Sequence, residues 1–286
     1  LGAVAYLWPQ LQCPVYATPF TAAILREKLQ EAGLIKKVPL KEIPLRAKFE
    51  LGPFAVEYVS VTHSIPESNS LILRTPEGVV LHTGDWKLDP EPLVGPKSDQ
   101  AALRLLGDEG VMAMIGDSTN ALIDGISGSE ADVRDKLTEV CANRKGRVAI
   151  ATFASNVARI DTIARVAATH DRHLVLAGRS LWRIVAAAQD CGYLQDIKPP
   201  LTDDEGAYLP PDKDLFVCTG CQGEPRAALA RIAAGNHRNV VLENGDLVIF
   251  SSRVIPGNET EINQVQNRLL SKGIADSYTH LPLPKT

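Results

Sequence analysis

From residue 129 onward the chain repeats one pattern, a short aliphatic run followed by a stretch of helical period. Ser129 with Glu130 and Asp132 predicts the start of a helix running to about Ala142. Arg147-Val-Ala-Ile-Ala-Thr152 reads as a strand and 157–169 as a helix. His173–Gly178 is followed by Leu181–Asp190, Asp214–Thr219 by Pro225–Ala234, and Asp246–Ser251 by Glu259–Lys272. Regular βα alternation implies an open parallel sheet with helices on both faces. Ligands of such sheets bind beyond the carboxyl ends of the strands. Here those ends carry Phe153-Ala-Ser155-Asn156, Gly178-Arg179-Ser180, Thr219-Gly-Cys-Gln222-Gly-Glu224 and Ser251-Ser-Arg253 through Glu259. All are polar, small-residue loops before helix N-termini, where backbone N–H groups suit phosphate.

The first 124 residues are organised differently. Pro14-Val-Tyr-Ala17 is a short strand. Thr18 is expected to cap a helix over 21–32 that carries Pro19 in its first turn and stops at Gly33. One or two strands are expected over 36–49, and a strong one over Phe54–Val61 leads into His63. Leu71–Arg74 and Val79–His82 read as hairpin arms joined through Thr75-Pro-Glu-Gly78, and the second arm leads to Asp85. A Pro-rich loop to Lys97 and a short helix over Gln100–Leu106 come next. Val111–Gly116 is expected to be a buried strand ending at Asp117.

His63 and Asp85, both at strand ends, are either a metal pair or loop caps. Two ligands alone do not make a zinc site. Thr83-Gly84 before Asp85 suggests close backbone approach. Asp117 is either an acid/base or orienting group, or an Asx-turn residue. Arg179 and Arg253 each follow a strand and are either phosphate-binding or structural. Cys218-Thr-Gly-Cys221 has no second pair, so Cys218 reads as core and Cys221 as a small loop residue. The remaining histidines show no ligand-like spacing.

A net charge of −4 argues against a surface that attracts nucleic acid everywhere, while leaving room for a local basic groove. Five scattered cysteines point to a reducing cytoplasm rather than a disulfide framework. No run of about 18 apolar residues occurs, so no membrane span is expected. A start without Met and a Pro-rich end, Leu281–Thr286, lead us to expect a piece of something longer.

In order along the chain, these residues resemble the metallo-β-lactamase/β-CASP nucleases, and within them the ribonuclease J branch. The resemblance matches a lone-histidine metal motif to His63 in Thr62-His-Ser-Ile-Pro-Glu-Ser, and a metal-bridging aspartate to Asp85 in His82-Thr-Gly-Asp-Trp-Lys. It matches the first β-CASP acidic motif to Asp117 in Gly116-Asp-Ser-Thr-Asn-Ala, and the four βα loops to those of the β-CASP domain. It implies an α/β fold: a partial metallo-β-lactamase αββα sandwich over 1–124, then a β-CASP domain over 125–280 with a mainly parallel sheet flanked by helices. Residues 281–286 would be a tail or the start of a return to the lactamase core. It also implies a two-zinc ribonuclease acting in RNA processing and decay, a homodimer or homotetramer when full length. Asp85 would bridge the metals, His63 would hold one, and Asp117 would orient a histidine. Ser155, Asn156, Arg179, Ser180, Gln222 and Arg253 would face RNA. A β-CASP DNA nuclease or other metallo-β-lactamase hydrolase, and a non-catalytic RNA-binding homologue, are the alternatives. The family's H-x-H-x-D-H segment is expected before Leu1 and its later histidine motifs beyond about residue 280, so the stretch given is expected to be inactive alone. His280 does not match the histidine-rich pattern, and Cys221 stands where the family usually has serine.

Overall fold

A computed structural model describes residues 1–119, 121–122, 124–125 and 127–278. His280 and the 281–286 tail lie outside the described residues. The chain divides into two compact units, Leu1–Ile123 with Ala186–Tyr193, and Asp124–Val185 with Leu194–Thr286. Among the described residues no helix is long and apolar enough to cross a membrane.

The first unit contains α1 (Val4–Leu11), β1 (Val15–Ala17), α2 (Pro19–Glu31), β2 (Leu40–Glu42), β3 (Lys48–Leu51), β4 (Phe54–Ser60), β5 (Asn69–Thr75), β6 (Gly78–His82), α3 (Gln100–Glu109) and β7 (Ala113–Ile115). β1 and β2 form a small parallel pair, and the other five strands make one sheet in the order β3-β4-β5-β6-β7. The expected hairpin is β5–β6. Thr75 Oγ1 closes its turn by accepting from Glu77 and Gly78 N–H and donating to the Gly78 carbonyl. Val59, Ile72, Leu81 and Leu106 pack together, so α3 seals one face of the sheet.

Two expectations need correction. Thr18 sits at the N-cap of α2, but its hydroxyl makes no cap bond. Instead Glu67, 47 residues on, accepts from Phe20 N–H at 2.8 Å. A carboxylate at the positive end of a helix outcompetes a neutral hydroxyl, because the bond is charge-assisted. The strand before Asp117 is also not buried: Ala113, Met114 and Ile115 of β7 are all exposed. β7 is an edge strand whose ladder partner among the described residues is β6. Its apolar composition promotes extended structure, and one neighbour does not cover it.

The second unit contains α4 (Glu130–Cys141), β8 (Val148–Ala151), α5 (Val157–Thr169), β9 (His173–Ala177), the start of α6 (Arg179–Asp190, whose residues from Ala186 on belong to the first unit), β10 (Leu201–Thr202), α7 (Asp203–Gly206), β11 (Asp214–Cys218), α8 (Ala228–Ala233), β12 (Leu247–Phe250), α9 (Glu259–Leu270) and β13 (Ala275–Tyr278). Its sheet is wholly parallel, in the order β10-β9-β11-β8-β12-β13. Every residue of β8, β11 and β12 is buried, which is why these strands read as unbroken apolar runs. α4 opens with a reciprocal capping box between Ser129 and Asp132. The sequence reading omits β10, α7 and β13. β10 is two residues long, and β13, at the opposite edge, is mostly polar (Ala-Asp-Ser-Tyr), so neither gives an apolar signal. Cys218 and Cys221 are both buried and unbridged.

Candidate functional site

β4 and β6 both pair antiparallel with β5, and β7 pairs parallel with β6. β4, β6 and β7 therefore run in one direction and end at the same edge of the sheet. His63 follows β4, Asp85 follows β6 and Asp117 follows β7, so one edge collects all three residues singled out from the sequence. The loops are stitched together locally. Thr62 bridges Lys87 as an isolated antiparallel pair, and its Oγ1 donates to the Lys87 carbonyl at 2.5 Å and accepts from Asp89 N–H at 3.0 Å. Lys87 Nζ is 2.8 Å from the fully buried Asp89 carboxylate. Thr83 Oγ1 accepts from Asp117 N–H at 3.1 Å and donates to the Gly84 carbonyl at 2.7 Å, tying the Asp85 loop to Asp117. The sequence points to Thr83 through the Thr83-Gly84 pair before Asp85, but gives no signal for the bonding of Thr62 and Asp89.

The three ionisable groups differ in setting. His63 is half-buried, with Nδ1 3.0 Å from Ser64 Oγ. Asp85 is exposed. Asp117 Oδ1 accepts from the Thr119 hydroxyl at 2.5 Å and from the Thr119 amide at 2.9 Å. Those two donors, with a smaller contribution from the nearby His63 ring, hold the Asp117 carboxyl below the usual carboxylate range. Asp117 is thus both an Asx-type turn residue and a carboxylate kept ionised near an imidazole.

The loop carrying His63 is packed against the Pro-rich loop. Gly95 has φ +78°, and a Cβ there would lie 2.2 Å from the Pro66 carbonyl oxygen, a backbone atom that cannot yield cheaply. Gly95→Ala is expected to cost about 2–3 kcal/mol through left-handed strain and displacement of the His63 loop. A lowered midpoint in urea denaturation checks it.

Among the described residues no group of three or more His, Cys, Asp or Glu side chains lies close enough to hold a metal ion. A zinc site takes three or four protein ligands, or three and a water. His63 and Asp85 therefore do not by themselves make a site for the metal that the resemblance implies.

In the second unit, the loops predicted to meet phosphate leave the carboxyl ends of β8, β9, β11 and β12. Ser155, Arg179, Ser180 and Arg253 are exposed there. Asn156 is the N-cap of α5, its Oδ1 accepting from Arg159 N–H at 3.0 Å. Gln222 is buried, and its amide is bonded to the loop after β12. Arg159, which the sequence reading passed over as a helix residue, is also buried. It donates to both Glu130 carboxylate oxygens at 3.2 Å and to the Ser251 carbonyl and hydroxyl at 2.7 and 2.6 Å.

Comparison with known proteins gives these features a family. Residues 145–269 match the model of the ribonuclease J β-CASP domain. Ribonuclease J of Sinorhizobium meliloti is 47% identical over 273 residues, covering 96% of this chain and 48% of that protein. Ribonuclease J of Mycolicibacterium smegmatis is 40% identical over 275 residues (96% and 49%), and that of Synechocystis 37% over 278 (96% and 43%). A solved protein of unknown function from Enterococcus faecalis shares the fold, with a TM-score of 0.62 at 16% identity over 94% of this chain and 64% of that one. The mixed α/β class, with its parallel sheet flanked by helices, agrees with these matches. The chain spans about half the length of the curated relatives it matches. It belongs to the ribonuclease J family, whose β-CASP domain forms most of its second unit.

Proposed function

We propose that this chain is part of a metal-dependent ribonuclease that hydrolyses RNA phosphodiesters in RNA processing and decay. The observation that carries the proposal is the 47% identity to a protein named Ribonuclease J along 96% of the chain, with His63, Asp85 and Asp117 gathered at one sheet edge. In this reading His63 and Asp85 supply part of a two-zinc ligand set. Asp117, held ionised by Thr119, accepts the N–H of a histidine and fixes its orientation. Ser155, Arg179, Ser180 and Arg253 meet the phosphates, giving affinity without much sequence preference. The protein works in the cytoplasm as a homodimer or homotetramer, with the 125–280 stretch as its β-CASP domain and 1–124 as part of its metallo-β-lactamase domain.

The test is cleavage by the full-length protein of labelled RNA and of DNA of the same sequence. RNA cleavage that Asp85→Ala abolishes supports the proposal. Cleavage of DNA alone favours the β-CASP DNA nuclease, and RNA binding without cleavage favours the non-catalytic homologue. The 286-residue chain alone is expected to show no ribonuclease activity and to retain fewer than two zinc ions after dialysis, as read by elemental analysis. Two tightly held ions per chain would overturn that expectation.

A further inference from the structure

We infer that Gln222 is a positioning residue for RNA binding, one that fixes the loop presenting Arg253 and does not itself touch the nucleotide. The inference rests on the RNA-binding reading above and sharpens it. Gln222 follows β11 and is 5% exposed. Its Nε2 donates to the Arg253 carbonyl at 2.8 Å and to Ser252 Oγ at 3.2 Å. Its Oε1 accepts from Ile255 N–H at 2.9 Å and from Asn258 Nδ2 at 3.3 Å. A primary amide has two donor hydrogens and two acceptor lone pairs. All four are used by bonds to the segment Ser251–Asn258, and Nε2 makes one further, long contact at 3.9 Å to Cys221 Sγ in its own loop. Nothing in the side chain remains to bond a phosphate or a base.

The geometry explains why such a bolt is needed. β11 and β12 are not neighbours, because β8 lies between them. Two strand spacings are about 10 Å, so the β11 and β12 loops share no ladder and would otherwise move independently. Gln222 closes that gap from one side. From the other, Arg159 and Thr152 Oγ1 both donate to the Ser251 carbonyl. Gly223, at φ +77°, completes the approach: a Cβ there would lie 2.5 Å from the Glu261 backbone carbon, so only glycine lets the β11 loop lie directly on α9. The segment is thus pinned at 251, 252, 253, 255 and 258. Of these residues, Arg253 and Ile255 are exposed, and Arg253 is the one that carries a charge. Its backbone carbonyl is fixed and the residue is exposed, an arrangement that lowers the ordering cost of meeting a phosphate.

The experiment is a double-mutant cycle on the full-length protein, with RNA affinity measured by fluorescence anisotropy at several salt concentrations. Arg253→Ala is expected to weaken binding and to lower the salt slope by about one. Gln222→Met, similar in shape but without the amide, is expected to weaken binding about five- to tenfold, and to add less than about twofold once Arg253 is gone, because coupled residues are not additive. Unchanged affinity in Gln222→Met, or a full additional loss on top of Arg253→Ala, overturns the inference. Hydrogen exchange supplies a readout that needs no RNA: the Ile255 amide, bonded to Gln222 in the wild type, should exchange faster in Gln222→Met, and unchanged protection overturns the inference. If Gln222→Met does not fold, Gln222→Glu replaces it in the same cycle, keeping the acceptor for Ile255 and losing the donation to Arg253. Wild-type protein that fails to bind RNA would sink the RNA-binding reading instead, and the exchange result would still decide whether Gln222 pins the loop.

Discussion

Glu130→Ala is expected to destabilise the second unit by about 3–5 kcal/mol, read as a lower midpoint in denaturant unfolding. Glu130 is the first residue of α4 and Arg159 lies in the first turn of α5, with both side chains 4% exposed. The carboxylate takes two hydrogen bonds from the guanidinium. Removing it leaves a buried cation without that partner, and desolvation of an uncompensated charge costs more than the pair contributed. The damage also travels, because the same guanidinium holds the carbonyl and hydroxyl of Ser251, where β12 opens into its loop. Replacing both partners with apolar residues, Glu130→Leu with Arg159→Met, should recover part of the loss, since no stranded charge remains. The Ser251 bonds stay broken, so recovery should stop short of wild type. If Glu130→Ala costs under about 1 kcal/mol, the level of an exposed ion pair, the pair is not the anchor its burial indicates.

Arg159 also shows where the sequence stops being legible. The βα order of the second unit could be read because β8, β11 and β12 are buried along their whole length, so each writes an unbroken apolar run. The start of α4 could be read because Ser129 and Asp132 cap each other within one turn. Both signals are local. Arg159 reaches Glu130 across 29 residues and Ser251 across 92, and Glu67 caps α2 across 47. No spacing rule covers such pairs, because the fold that brings them together must exist first. Gln222 was picked out as a polar loop residue, yet polarity does not tell a side chain facing solvent from one spent inside the loop. The candidate site was legible for a different reason: His63, Asp85 and Asp117 each end a β-type run. That these runs are β4, β6 and β7, all pointing one way, came only from the strand pairing. β7 misled because an apolar run predicts extended structure and says nothing about whether another layer covers it.

Asp214→Asn is expected to remove a fall in stability that the wild type suffers as pH rises from 5 to 8, a difference between the two proteins of about 3 kcal/mol. Asp214 begins β11, and its side chain has no exposed surface. Oδ2 accepts from Arg147 Nη1 at 2.6 Å, while Oδ1 has no hydrogen-bond partner among the described residues. Burial pushes the carboxyl up to about 7 from an ordinary 3.8; the Arg147 and Arg172 guanidiniums oppose the rise, and Asp246 and Asp212 add to it. A raised carboxyl pKa means that the folded state keeps its proton after the unfolded chain has lost its own. Between about pH 4 and pH 7 the folded state binds more protons, so stability falls as pH rises; above about 7 both states are ionised and the fall ends. Asparagine keeps the shape and an acceptor for Arg147 but has no proton to lose. Other carboxylates act in the opposite direction: hydrogen bonds hold Glu57 and Asp117 below their ordinary values, which favours folding as pH rises. For that reason the informative quantity is the difference between variant and wild type at each pH, taken from urea unfolding, where contributions common to both cancel. A difference that stays constant from pH 5 to 8 would mean that Asp214 is ionised throughout, and that its bond to Arg147 outweighs its burial.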